Sequence, residues 1–120
     1  MSRRNRKYVF ISVPFKGRSE EEIFEDMSKA MREYAKRTNP DDTMKVLTET
    51  EFVHNYFVSQ RVEKAASTSK NPRLIYLAEA IRKMAACDEV IFGGDWENAD
   101  GCNVERLVYE RYFQKENLES

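Results

Sequence analysis

The chain has 120 residues, with 20 basic and 21 acidic side chains and a formal net charge of −1 at pH 7. This length fits one domain with a modest core. The even charge balance argues against a protein that binds nucleic acid by neutralising phosphates. Basic residues cluster only near the N-terminus, at Arg3, Arg4, Arg6 and Lys7. We interpret them as a solvated tail rather than a nucleic-acid-binding arm, and expect tails at 1–7 and 117–120 around one domain at 8–116.

Several other protein classes are also excluded. Cys87 and Cys102 are too few for a disulfide framework, and with the single histidine His54 they do not form a metal-binding pattern. We therefore expect no metal and no cofactor. The sequence contains no apolar run of signal-peptide or membrane-spanning length. The expected protein is soluble and cytoplasmic, with no membrane partner.

The first elements are a strand and a helix. Residues 8–13 form an apolar, β-branched and aromatic run that ends at Pro14, and its weak alternation is typical of a strand buried on both faces. Ser19 and Glu22 form a capping box, which predicts the start of a helix. That helix should end near Thr38, shortly before a proline.

The middle of the chain is less regular. Residues 44–48 are predicted to be a second strand, 52–64 a helix, and 66–71 a loop. Pro72 suits the first turn of another helix, whose apolar stripe runs to about residue 85.

The last elements are a third strand at 89–92, which Gly93 and Gly94 end, and a final amphipathic helix. Strands that alternate with helices predict an α/β fold, here a small parallel sheet of three or more strands with helices on both faces, Rossmann-like in architecture. Ligands bind such sheets at the carboxyl ends of the strands. The loops expected to matter are 14–19, 48–52 and 93–105.

Loop 93–105 is rich in carboxylates. Asp100 is expected to cap the final helix, and Glu105 should lie one turn inside it, facing the end of the sheet. A carboxylate held there would serve as a nucleophile or as a base toward a sugar. The alternative is that Glu105 pairs with an arginine on the helix surface. Glu79, on the preceding helix, is either a surface charge or a group that points into the cleft.

Two further features suggest ligand contacts. Trp96, the only tryptophan, would either stack on a base or hold its loop against the domain. Lys16, Gly17 and Arg18 precede a helix N-terminus, an arrangement that would suit a phosphate.

Together these pieces resemble nucleoside 2-deoxyribosyltransferase-like proteins. The resemblance is carried by residues 12–17, by the helix and strand at 77–92, and by the loop Gly94-Asp95-Trp96-Glu97 followed by Gly101-Cys102-x-x-Glu105. It extends from residue 8 to residue 112 and is greatest to a bacterial and phage sub-family of unassigned function.

The resemblance implies cleavage of the N-glycosidic bond of a nucleoside or nucleotide, with Glu105 as the nucleophile and Asp100, Asp95 or Glu79 as the acid. It also implies a homo-oligomer and a substrate-binding set of Ser12, Pro14, Lys16, Gly17, Arg18, Gly94, Asp95, Trp96 and Gly101. The tyrosine that supports the family's nucleophile falls near Phe10, which has no hydroxyl. The alternative is therefore a non-catalytic nucleotide-binding protein, such as a sensor or sponge for a signalling nucleotide, and a third possibility is a protein-interaction module.

Overall fold

The computed structural model describes residues 6–114, which form an α/β fold around a three-stranded parallel sheet in the order β2-β1-β3. The elements are β1 (Lys7–Ser12), α1 (Glu20–Thr38), α2 (Thr43–Glu49), β2 (Thr50–Val53), α3 (Gln60–Ser67), α4 (Pro72–Ala85), β3 (Glu89–Phe92) and α5 (Asp100–Tyr109). A short 3₁₀ turn (Trp96–Asn98) precedes α5, and a π-helical turn (Glu110–Gln114) continues it. No helix among these residues is long and apolar enough to cross a membrane.

Strand β1 lies in the centre of the sheet. It pairs in parallel with β2, where Lys7 lies opposite Thr50, and with β3, where Ser12 lies opposite Phe92. Both faces of a central strand are covered, which explains why its sequence is continuously apolar. The structure thus confirms the predicted first and third strands and the parallel sheet. Strand β1 begins at Lys7, inside the predicted tail; residues 1–5 and 115–120 lie outside the described part of the chain.

The two faces of β1 pack against different helices. Val9, Ile11 and Val13 point into a cluster with α1, α2 and Ile91 of β3. Phe10, on the opposite face, packs against α4 and is joined by partly buried residues of α5. Side chains alternate along a strand, so Ser12 shares the face of Phe10 and lies on the side of α5.

The predicted second strand at 44–48 was wrong, because these residues belong to helix α2. The Asp42 side chain accepts a hydrogen bond from the backbone N–H of Lys45 at 3.1 Å and so caps this helix. Within this helix Val46 is buried, Leu47 is partly buried against the core and Met44 is exposed. The strand that pairs with β1 follows directly at Thr50–Val53.

The predicted helix at 52–64 was also wrong over its first half. Strand β2 continues to Val53, residues 54–59 form a loop, and α3 begins only after Ser59, which caps it by accepting from the Val62 N–H. The aromatic residues of this loop pack by tertiary contacts rather than along a helix: the Tyr56 ring lies 5.4 Å from that of Phe24. The loop that follows β2 is therefore 54–59 rather than 48–52, and the loop after α3 begins at 68 rather than 66.

Gly94 ends the turn after β3 in close contact with α1. Its φ is +59°, and a Cβ atom placed on it would lie 2.5 Å from Asp26 Oδ2. Asp26 is itself held by an ion pair with Arg18, so three segments meet at this glycine. Gly101, in the first turn of α5, has open space around its Cβ position.

These two glycines give a matched pair of variants. Gly94→Ala should lower the free energy of unfolding by about 1–3 kcal/mol, since it combines a left-handed backbone with a clash. Gly101→Ala should leave it unchanged or raise it by up to about 1 kcal/mol, because alanine is the better helix former. Chemical denaturation measures both. Equal destabilisation by the two variants would contradict this description of the turn.

Candidate functional site

A cleft of about 740 Å³ opens at the carboxyl ends of the strands, where the topology predicts a ligand site. Its volume lies in the range of small-molecule pockets. Its walls come from the loop after β1, the loop after β2, the start of α4 and the turn that leads into α5. Ser12 and Glu105 both line it. No group of three or more His, Cys, Asp or Glu residues in the described range 6–114 is arranged to hold a metal ion.

Ser12 and Glu105 are joined across the cleft floor. Ser12 is 2% exposed, and its Oγ donates a hydrogen bond to Glu105 Oε1 at 2.6 Å. Burial raises the pKa of the Glu105 carboxyl, while the hydrogen bond from Ser12 opposes this rise. Glu105 has no arginine partner within residues 6–114. The carboxylate therefore faces the end of the sheet, as predicted, and is not part of a surface ion pair.

Cys102 lies one turn before Glu105 and belongs to the same cluster. It is 5% exposed, and burial raises the pKa of its thiol to about 11, with the Glu105 charge adding to the effect and a hydrogen bond with Ser12 opposing it. The thiol is therefore protonated at neutral pH and is a poor nucleophile. In this cluster Glu105 is the group suited to attack an electrophile.

Asp100 lines the cleft but does not cap α5, contrary to expectation. Asp100 is already the first helical residue, the N-cap position is Ala99, and no side chain caps this helix end. The Asp100 carboxylate instead pairs with Arg73 of α4 at 3.3 Å, with both side chains largely exposed. Asp95 also lines the cleft, and its Oδ1 accepts from Asn98 Nδ2 at 2.7 Å. Both aspartates are exposed, in contrast to Glu105.

Glu79 is not brought together with Glu105. Both oxygens of its carboxylate accept hydrogen bonds from Arg82, at 2.8 and 2.6 Å, and it is not among the residues that line the cleft. The hydrogen bond from Arg82 lowers the pKa of Glu79. Of the two interpretations that the sequence allows, the geometry favours a charge held in an ion pair.

The loop after β1 supplies Pro14, Lys16 and Arg18 to the cleft. Arg18 forms an ion pair with Asp26 through its Nη2 atom, whereas Lys16 is exposed and makes no ion pair within residues 6–114. Gly17 forms the turn between them with φ +72° and does not line the cleft.

The N-terminus of α1 is already occupied by its own side chains. Ser19 N–H donates to Glu22 Oε1 at 2.9 Å, and Glu22 N–H donates to Ser19 Oγ at 3.1 Å. Three glutamates fill the first turn. Their charge disfavours an anion at this helix end, so a phosphate in the cleft would depend on Lys16 rather than on α1.

Trp96 packs outside the cleft lining. Its ring lies 5.1 Å from that of Phe92 and 5.6 Å from the Arg106 guanidinium, which also sits over Phe92. These contacts hold the turn before α5 against the sheet. The structure thus favours the anchoring role over stacking on a base. Of the remaining predicted residues, Gly101 lines the cleft and Gly94 packs against Asp26.

The sequence did not predict that the loop after β2 contributes side chains to the cleft. Asn55 and Tyr56 line the cleft, together with Tyr76 of α4. Lys83 Nζ fixes this loop by donating to the backbone carbonyls of His54 and Phe57, at 3.0 and 3.1 Å. The only sequence sign was the polar pair His54-Asn55 after the apolar residues Phe52 and Val53, and the helix predicted over 52–64 obscured it.

Comparison of the chain with protein-family models, curated proteins and solved structures gives no significant match. The resemblance to deoxyribosyltransferase-like proteins therefore stays a prediction from sequence motifs. The chemistry of the site rests on its own geometry. One partly buried carboxylate, Glu105, lies at the floor of the cleft, and around it are exposed carboxylates and a lysine that has no ion pair within residues 6–114.

The raised pKa of Glu105 predicts a specific pH dependence of stability. The folded protein binds this proton more tightly than the unfolded chain, so the wild type should lose stability as pH rises from the usual value near 4.5 through the raised pKa. Glu105→Gln has no such proton. The free energy of unfolding of the variant minus that of the wild type should therefore increase across this window and level off above it.

Glu79→Gln provides a control, because its stability relative to the wild type should change with pH in the opposite direction. The pKa of Glu79 lies below its usual value, so the wild type gains stability as pH rises toward 4.5 and the variant becomes relatively less stable there. A difference for Glu105→Gln that does not change with pH would contradict the buried, desolvated carboxylate.

Proposed function

We propose that this protein cleaves the N-glycosidic bond of a nucleoside or nucleotide, as a hydrolase or a 2-deoxyribosyltransferase-like enzyme with Glu105 as the nucleophile. The observation that carries the proposal is the partly buried Glu105 carboxylate, held by Ser12 at the floor of a cleft that is large enough for a nucleotide. The sequence resemblance supports the same reaction and the same residue.

The chemistry that fits this site has two steps. A Glu105 oxygen attacks the anomeric carbon of the sugar, and the bond to the base breaks with its electron pair remaining on the base nitrogen, which takes up a proton. The resulting glycosyl ester is then opened by water in a hydrolase, or by a second base in a transferase. Ser12 orients the attacking carboxylate. Burial makes its charged form less stable, which favours conversion to a neutral ester.

The proton for the leaving base would come from a carboxyl group at the mouth of the cleft. Asp95 and Asp100 both line the cleft and are exposed. The ion pair of Asp100 with Arg73 joins two largely exposed side chains, and such pairs contribute little stability. The Asp100 side chain can therefore turn toward a bound nucleotide at small cost.

A specific observation also favours the non-catalytic alternative, a nucleotide-binding protein. Within residues 6–114, the cleft floor holds one carboxylate, Glu105, and the two aspartates that line the cleft are bound to Asn98 and Arg73. A site without an acid fixed near its nucleophile would bind a nucleotide and leave it intact.

The proposed homo-oligomer has support from the sheet. β2 and β3 each pair with β1 on one side only, so each has an unpaired edge in the described part of the chain. Unpaired edges invite pairing or covering by another chain. The cytoplasmic location stays a prediction from the sequence.

Release of free base from a panel of deoxynucleosides and their monophosphates tests the reaction. The wild type should release base from at least one member, and Glu105→Gln should be slower by about 1000-fold or more while it remains folded. Activity should decline as pH falls through the raised pKa of Glu105, because the nucleophile must be ionised. Glu97→Gln, the same change at an exposed position of the same loop, should retain activity.

The same panel in a thermal-shift experiment separates the two functions, since a ligand that binds only the folded state raises the melting temperature. Stabilisation together with base release supports the enzyme. Stabilisation without base release supports the nucleotide-binding protein. Neither stabilisation nor base release from any member would contradict both functions.

A further inference from the structure

We propose that Asn55 selects the base of the nucleotide by accepting a hydrogen bond from an exocyclic amino group, so that the substrates carry adenine or cytosine rather than the deaminated bases hypoxanthine or uracil. This inference rests on the proposed nucleotide site. It concerns the loop after β2, on the wall of the cleft formed with α4.

The orientation of the Asn55 amide is fixed by its neighbour. Asn55 Nδ2 donates to the backbone carbonyl of Tyr76 at 2.9 Å. A carbonyl oxygen only accepts, so the amide nitrogen must be the atom that faces it, and rotation of the amide by 180° would place two acceptors against each other. Asn55 Oδ1 is thereby held in place as an acceptor.

This oxygen has no partner in the described chain. Asn55 Oδ1 is buried and makes no hydrogen bond within residues 6–114, although Asn55 is one of the residues that line the cleft. A buried acceptor without a donor destabilises the folded state, so a small side-chain movement in the cleft wall that uncovers Asn55 Oδ1 would let the ligand supply the missing donor. Deamination of adenine or cytosine replaces the N–H donor with a carbonyl oxygen, which would repel Asn55 Oδ1.

The surroundings of Asn55 suit a flat base. Phe15, Tyr56 and Tyr76 line the same cleft. The Tyr56 ring is held by edge contacts with Phe15, at a centroid distance of 5.4 Å, and with two further aromatic rings. Aromatic walls give a base favourable contact area, and one polar group then determines its identity.

The backbone of the loop is also held in place before a ligand arrives. Lys83 Nζ holds the carbonyls of His54 and Phe57 on either side of Asn55, and Tyr76 holds the amide itself. Because these bonds are already formed, binding a base need not order the loop, and a discriminating hydrogen bond retains its effect.

The test measures nucleotide affinity on the full chain carrying Glu105→Gln, which allows binding without turnover. Isothermal calorimetry compares two pairs of monophosphates, deoxyadenosine with deoxyinosine and deoxycytidine with deoxyuridine. With Asn55 present, the amino member of at least one pair should bind about tenfold more tightly or better. Adding Asn55→Leu should bring that ratio to about one. Because this variant also loses the hydrogen bond to the Tyr76 carbonyl, its melting temperature is measured to establish that it remains folded.

Two further variants keep the test interpretable. Asn55→Ala replaces Asn55→Leu if the larger side chain obstructs the cleft or prevents folding, and it should abolish the preference equally. Asn98→Leu removes another asparagine that lines the cleft, but one that is exposed and whose amide donates to Asp95. It should leave the ratio of amino to keto affinity unchanged.

The outcomes separate this inference from the proposed reaction. Equal affinity for the amino and keto members, or a preference that survives both Asn55 substitutions, overturns the role of Asn55 even if the wild type releases base. A preference that depends on Asn55, together with no base release by the wild type, supports Asn55 and rejects the enzymatic function. Binding of no nucleotide at all overturns both.

Discussion

The candidate site depends on one hydrogen bond, from Ser12 at the end of the central strand to Glu105 in the middle of α5. It joins residues 93 positions apart and holds a partly buried carboxylate where desolvation alone would favour its neutral form. An uncompensated buried charge is costly, so this arrangement gives up stability at the place where a ligand would bind. The surrounding elements, the apolar central strand and the uncapped start of α5, bring these two side chains together.

Much of the fold could be predicted, because local sequence patterns and the pattern of buried residues indicate the same elements. The central strand and β3 are short apolar runs covered on both faces, and α1 begins at its capping box. The second strand could not be placed, since β2 has four residues, is only partly buried and lies at the edge of the sheet. The cap that Asp42 provides makes the preceding segment helical. Edge strands of this length carry little sequence pattern, and their position follows from pairing with a neighbour.

The residues of the candidate site were likewise only partly predictable from the sequence. Glu105 could be placed at the cleft floor from topology alone, because the turn after β3 must return at the carboxyl end of the sheet. Asn55 could not be placed from the sequence, because its position depends on a tertiary hydrogen bond with Tyr76, a residue distant in sequence. Trp96 was left undecided by the sequence, and the structure shows it against Arg106 rather than in the cleft. Tertiary contacts thus decide which side chains of a loop face the cleft.

The central claim is that Glu105 is a desolvated carboxylate restrained by Ser12. Carbon NMR titration of the Glu105 carboxyl in the wild type and in Ser12→Ala measures this directly. The account predicts a pKa above the usual value of 4.5 in the wild type, and a further rise in Ser12→Ala because the hydrogen bond that stabilises the charged form is lost. A Glu105 carboxyl that titrates at its usual value, or that is unaffected by loss of the Ser12 hydroxyl, would contradict it.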